Sequence, residues 1–388
     1  MNSEVFVVSA RRSAIGRFGG AFKDLTPPAL AAPVMNAALE SAGVTGDQLD
    51  LVVMGNVLRG GHGQLLPRQA AFLAGIPKHI DALAVDMVCS SGMAAVMTAA
   101  SQIKAGEVDL ILAGGMESMS GAGFALDAKA RWGLKYAPAG ARITDLMARD
   151  GLTDPVSGEA MGEQTEQLIA EEGVTRSELD LVAAASHQRA AAASDSGAFG
   201  DEIVEVDGFR TDEGVRRETT VEGLGLLRPA FRPDGILTAG NSSQISDGAA
   251  ALVLASSRGV NEYGLKPIAK VTGSAWAAGE PYRFPEAPIP AVEKLLKREG
   301  KSITDFDLFE NNEAFALNSV LFSRRLGVDS EKLNPNGGAI ALGHPIGCSG
   351  ARILVTLIHA LRNRGGQSGL AAICHGTGGG TVTSVELV

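Results

Sequence analysis

Residues 89–115, CSSGMAAVMTAASQIKAGEVDLILAGG, and residues 348–380, CSGARILVTLIHALRNRGGQSGLAAICHGTGGG, follow one plan. Each starts at a Cys, a Ser and a Gly, runs through a helical pattern, turns at glycine, enters a buried strand and ends on paired glycines. Met93, Val96, Met97, Ala100 and Ile103 recur at helical spacing in the first, as do Ile353, Leu354, Leu357, Ile358 and Leu361 in the second. Each set predicts a helix buried along one face. The simplest account of the likeness is an internal duplication, with one βα unit used twice.

The same alternation extends outward. Short β-branched runs (EVFVVSA, LDLVVMG, VDLILAGG and AALVLAS) are separated by alanine-rich segments, the signature of an α/β fold. From Met119 to Asp247 the pattern loosens into polar sequence punctuated by Gly and Pro, predicting a long insertion of substrate-binding loops on the α/β frame. With 388 residues, 45% of them hydrophobic, the chain is long enough for two or three closely packed units.

Its net charge of -10 offers no basic footprint for nucleic acid or an anionic membrane, though a local basic patch could hold a phosphorylated ligand. No stretch reaches bilayer-spanning length, and MNSEVFVVSA enters a strand-like run without a basic leader. Three cysteines are too few to staple the chain and leave at least one thiol free, so a cytoplasmic, reducing location is expected.

Cys89, in DMVCSSGM, follows a strand-like run and precedes a helix, where backbone N–H groups and the positive helix end favour a thiolate. With a pKa of about 8.5, only about 3% of a free thiol is ionised at pH 7. A nucleophile here therefore needs a lowered pKa or a neighbouring base; otherwise Cys89 is a small apolar residue in a core. His344, held between Gly343 and Pro345 in a glycine-rich loop, is the candidate base, whereas His62, His79, His187 and His359 read as ordinary packing or surface residues. In DLFENNEAFALNSV, Asn312 and Glu313 fall at a strand-to-helix turn. By itself Asn312 is best read as a helix cap, while Glu313 suits holding a neighbouring loop.

The glycines after Cys374 resemble a nucleotide loop, but the strand-like TVTSVELV follows them where such a loop needs a helix. Metal binding by Cys374 and His375 is disfavoured because neighbours on a strand face opposite ways. His375 has no assigned role beyond a possible influence on the adjacent thiol.

Together these residues resemble the thiolases, acetyl-CoA C-acyltransferases. VCSSGM around Cys89, Asn312–Phe315 (NEAF), Gly343–Pro345 (GHP) and Cys374–Gly376 (CHG) match four family motifs in family order. SARRSAIGRFGGAF and TAGNSSQISDGAAALVL extend the resemblance over essentially the whole chain.

The resemblance implies a thiolase fold of two βαβαβαββ halves in a layered αβαβα core. Residues 1–118 with 248–268 would form the N-terminal half, 119–247 an inserted loop domain for CoA and acyl binding, and 269–388 the C-terminal half. It implies Cys89 as nucleophile, His344 as its base and Cys374 as a second acid and base. His344 with an Asn312-held water would form one oxyanion hole, and the N–H groups of Cys89 and Gly376 the other. Gly376 is expected to be glycine for close backbone approach. Arg216 and Ser243 would contact CoA, while Leu152, Met161, Phe231 and Phe315 would line the pantetheine and acyl tunnel. The implied partners are acyl-CoA and CoA in a homodimer or homotetramer, with no metal and no cofactor beyond CoA as substrate or product.

Three departures from the family pattern stand out, the last two near the expected acyl pocket. Asp86 stands where thiolases commonly have Asn, Ala160 where short-chain biosynthetic members often have His, and FPEAPIPA (284–291) where Met-Gly-x-Gly-Pro is common. They raise the expectation of a bulkier or branched 3-ketoacyl chain. A ketoacyl synthase would lack the second catalytic Cys, and a non-catalytic acyl-CoA scaffold would have lost one of Cys89, His344 and Cys374.

Overall fold

A computed structural model describes residues 4–134 and 141–388. Nine principal strands, β1 (Val5–Ser13), β2 (Leu51–Gly55), β3 (Asp81–Val85), β4 (Leu110–Ser118), β5 (Ser246–Ser256), β6 (Ala269–Ala278), β7 (Leu308–Asn311), β8 (Ser368–His375) and β9 (Gly379–Leu387), lie in the order β7-β8-β9-β6-β1-β5-β4-β2-β3. The duplication is visible in the pairing. In the first half β1 runs antiparallel to β5, β5 antiparallel to β4, and β4 parallel to β2. In the second, β6 runs antiparallel to β9, β9 antiparallel to β8, and β8 parallel to β7. Among the described residues, the pairs Phe6–Lys270 and Val7–Ala269 join the two halves of the sheet. The first half adds the edge strand β3; its counterpart in the second shrinks to one parallel bridge between Phe309 and Leu333.

Alternating side chains set the layers, because successive strand residues face opposite sides. Ala249, Ala251, Val253 and Ala255 of β5 pack outward against helix α1 (Pro27–Ala42), whereas Ala250, Leu252 and Leu254 point inward. On β8, Ala371 and Ile373 point inward, while Leu370, Ala372 and Cys374 face the outer layer of the second half. The inner faces enclose two helices, α2 (Ser91–Ala105) and α3 (Ile346–Arg364), completing an αβαβα stack.

The one-sided burial expected of these helices is incomplete. Every residue from Ile346 to Leu361 of α3 is buried, and α2 meets solvent only in its second half, at Thr98 and from Ser101 onward. A helix between two sheets has no wet side, so its apolar periodicity marks where the largest side chains sit and not where burial stops. The repeated glycines allow this arrangement. A Cβ on Gly92 would lie 2.8 Å from Ala351 N, and one on Gly350 would lie 2.4 Å from Met93 N, so each helix meets the other's backbone at its own glycine.

The insertion is also more regular than a set of loops. It contains helices Met161–Glu172 and Arg176–Asp195, the second started by a Thr175–Glu178 capping box. The many alanines of Arg176–Asp195 leave a weak apolar stripe, which is why periodicity understated it. Buried Arg12 of β1 ties this region to the core, donating to Glu202 at 2.6 Å and in bidentate fashion to Asp212 at 2.8 and 3.0 Å.

Candidate active site

Cys89 sits on a tight turn between β3 and α2. Val88 adopts φ +48°, a costly conformation for a β-branched residue. Ser91 clamps that turn: its Oγ donates to Val88 O at 2.6 Å and accepts from Met87 N at 2.8 Å. The strained backbone holds Cys89, half-buried, at the wall of a cavity of about 610 Å³.

Burial pushes the Cys89 thiol up to about 12, with the N–H groups of Gly376 and of Cys89 itself pulling the other way and buried Glu117 adding to the rise. Desolvation thus outweighs the two N–H groups that favour the thiolate. Of the two routes to a nucleophile, a nearby base remains.

His344 lines the same cavity. Its Nδ1 lies 2.6 Å from Ser349 Oγ, and that hydroxyl donates to Pro345 O at 3.0 Å. Ser349 has one hydroxyl proton and gives it to Pro345, so His344 Nδ1 carries hydrogen and Nε2 keeps its lone pair. Burial, with Arg352 adding to it, pushes the imidazole down to about 3, so it is neutral and able to accept a proton. The Asn312 amide nitrogen stands 3.4 and 3.5 Å from the two ring nitrogens, and its Oδ1 receives no hydrogen bond from the described residues.

Asn312 is not a helix cap. The helix of this segment, Ala316–Leu326, has Phe315 at its cap position, and Phe315 N donates to Asn318 Oδ1 at 2.9 Å. Glu313 accepts from Ser186 Oγ at 2.7 Å, Asn334 Nδ2 at 2.8 Å and Ile340 N at 3.2 Å, fixing the loop that leads to His344.

Cys374 is fully buried behind the cavity wall, near enough for Cys89 to raise its pKa further above the level set by burial. Asn318 Nδ2 donates to Cys374 Sγ at 3.2 Å. Gly376 lines the cavity, but a Cβ there would meet nothing nearer than Met161 Sδ at 3.6 Å. The protein's own packing therefore does not demand glycine; the close approach expected from the sequence is to the reacting oxygen. His375 faces away from both thiols, with Nδ1 2.7 Å from Gly376 O and its ring over Gly379, where a Cβ would come within 2.0 Å of Nε2.

Leu152, Met161, Phe231, Phe315, Arg216 and Ser243 all line the cavity. Arg17 and Phe284 join them without having been singled out in the sequence. Phe315 makes edge-on contacts with Phe231 (centroids 5.8 Å apart) and Phe284 (6.2 Å), so FPEAPIPA closes one end with an aromatic wall. Asp86 pairs with Arg59 at 3.1 Å. Cys348, despite its place in the repeated motif, is buried in α3 between the sheets. Ser349, Ser91 and Asn318 were missed because their roles depend on partners in the folded chain; only the Ser-Gly shared by the two repeats hinted at the first two.

A thiol at the cavity wall, a neutral imidazole and a buried second thiol, set between the halves of a duplicated α/β fold, are suited to an enzyme that carries acyl groups on sulfur. Residues 5–258 match the family Thiolase, N-terminal domain, and residues 265–387 match Thiolase, C-terminal domain; the chain belongs to the thiolase family. It is 59% identical over 394 residues to an acetyl-CoA acetyltransferase of Synechocystis sp., covering 99% of this chain and 100% of that protein. It is 44% identical over 388 residues to the acetyl-CoA acetyltransferase of Escherichia coli, covering 98% of each. The crystal structure of the Bacillus anthracis acetyl-CoA acetyltransferase superposes with a TM-score of 0.96 at 40% identity, over 100% of this chain and 99% of that one. The chain is accordingly a thiolase, an acyltransferase.

Proposed function

We propose that this thiolase cleaves a short 3-ketoacyl-CoA with CoA and runs the reverse Claisen condensation, with Cys89, His344 and Cys374 as its catalytic residues. The observation that carries this reading is the approach of the two thiols: Cys89 is near enough to act on Cys374, and Gly376 N–H is directed at the Cys89 sulfur.

In the cleavage direction, His344 Nε2 takes the Cys89 proton as the sulfur attacks the keto carbon. The resulting oxyanion lies against the N–H groups of Cys89 and Gly376. Collapse breaks the carbon–carbon bond, leaves the acyl group on Cys89 and gives an acetyl-CoA enolate, whose oxygen faces His344 and an Asn312-held water. Cys374 protonates the enolate carbon, and its thiolate then takes the proton of incoming CoA, which attacks the acyl-enzyme; the Cys89–acyl bond breaks, and the departing Cys89 thiolate takes its proton back from His344. The sequence requires no metal and no redox cofactor. Arg216 and Ser243 suit the CoA nucleotide and pantetheine, while Leu152, Met161, Phe231 and Phe315 suit the pantetheine and acyl end.

The aromatic wall of Phe231, Phe284 and Phe315 favours a short acyl group, and the similar proteins are named acetyl-CoA acetyltransferases. We propose the short chain over the bulkier or branched one expected from the sequence, because Phe284 of FPEAPIPA sets a ring against Phe315 in the cavity lining. We further propose a homo-oligomer and a cytoplasmic location. The edge strand β3 pairs with β2 only and exposes Leu83, beside exposed Phe72 and Leu73, which suits edge pairing with a second copy. Among the described residues, no helix is long and apolar enough to cross a membrane.

The test is thiolysis of 3-ketoacyl-CoAs of increasing length by the wild type, Cys89→Ser and Cys374→Ser. Acetoacetyl-CoA should be cleaved best, and each variant should lose at least about a thousandfold in kcat. Full turnover by either variant would refute the two-thiol mechanism, and preference for long chains would refute the pocket assignment.

A further inference from the structure

We propose that Asn318 is the positioning residue of Cys374: its amide N–H is aimed at the sulfur to favour the thiolate that forms when Cys374 gives up its proton. The inference rests on the role of Cys374 proposed above.

The amide's orientation is fixed by its surroundings. Asn318 is buried, and its Oδ1 accepts from Phe315 N at 2.9 Å. Its Nδ2 donates to Pro285 O at 3.0 Å and to Cys374 Sγ at 3.2 Å. Flipping the amide would set its oxygen against the Pro285 carbonyl and leave Phe315 N–H without an acceptor, so the nitrogen is the end that meets the sulfur. A donor on sulfur binds a thiolate more strongly than a thiol.

Cys374 needs that help because the rest of its environment opposes charge. It is fully buried, and Cys89 across the wall is the titratable group acting on it, in the raising direction. His375, next on the strand, has Nδ1 on Gly376 O. Charges on the surrounding elements are committed elsewhere: Glu310 of β7 to Arg352 of α3, and Arg283 to Glu286 on the turn before helix Pro288–Glu299. The amide is thus the side chain that lowers the cost of a Cys374 thiolate. Its benefit falls in the proton transfers, from Cys374 to the enolate carbon and from CoA–SH to Cys374.

Two variants separate this role from helix capping. Asn318→Asp keeps an acceptor for Phe315 N–H and removes the donor to sulfur; Asn318→Leu removes both. Turnover, its pH dependence and deuterium exchange into the acetyl-CoA methyl group from heavy water would be measured for each, the exchange reporting the proton transfer of Cys374. A hydrogen bond to a charged group translates into roughly ten- to a hundredfold. Both variants should lose about that factor in kcat and in exchange, with KM changed by less than about threefold and the alkaline side of the pH profile shifted upward. Near-wild-type turnover and exchange in Asn318→Asp would leave only a capping role and overturn the proposal. So would a loss in both variants with exchange and pH profile unchanged. Full activity of Cys374→Ser would instead remove the mechanism on which the inference rests.

Discussion

In the proposed reaction Cys89 enters as a thiol. Desolvation holds it near 12 and holds His344 near 3, so the resting pair is neutral and the proton moves only as the sulfur attacks. A preformed thiolate–imidazolium pair would react at neutral pH. The neutral pair predicts that iodoacetamide alkylation of Cys89, followed on the Cys89 peptide of Cys374→Ser so that buried Cys348 does not contribute, still rises steeply at pH 9; a plateau below pH 7 would contradict it. The stability consequence has a definite sign. His344 is lowered in the fold, so the unfolded chain takes up its proton first, and this group's contribution is lost as pH falls from about 6.5 toward 3. The side chains proposed to react could be picked out in the sequence because Cys, His and Asn stand in short motifs. Ser349 and Asn318 were not, because what marks them is a bond to His344 or Cys374 that exists only after folding.

At the scale of elements, the contact between α2 and α3 determines how the two halves meet. Gly92 and Gly350 let the helices touch backbone to backbone directly behind the Cys89 turn and the His344 loop. Gly350→Ala would press a methyl against Met93 N, and overpacking of a tight core typically costs about 1–3 kcal/mol. The urea midpoint should fall accordingly, and activity should fall with it because the same displacement moves Cys89. A variant of unchanged midpoint would show that the helices can separate freely. The repeated Ser-Gly made this pair detectable as a duplication. Burial of α3 on every side was not legible, since periodicity records side-chain size around a helix and not which layers cover it. Likewise the alanine-rich helix Arg176–Asp195 hid in a segment read as loops, although its Thr175–Glu178 cap was present in the sequence.

For the whole molecule, the duplication brings together residues far apart in the chain. Cys89 comes from the first half; Asn312, His344 and Cys374 come from the second; the insertion, anchored through Arg12, roofs the cavity with Met161 and Phe231. The alternation of strands and helices gave the fold class, and the motif order gave the family. The shape of the acyl end required the structure, because FPEAPIPA does not reveal that Phe284 turns inward onto Phe315. The central claim is that the acyl group travels on Cys89 and is released through Cys374. It is tested most directly by mixing the Cys374→Ser protein with acetoacetyl-CoA, quenching, and locating the acyl group by peptide mass spectrometry. The account predicts an acylated Cys89 peptide that persists far longer than in the wild type when CoA is added; acylation at another residue, or clearance by CoA at the wild-type rate, would contradict it.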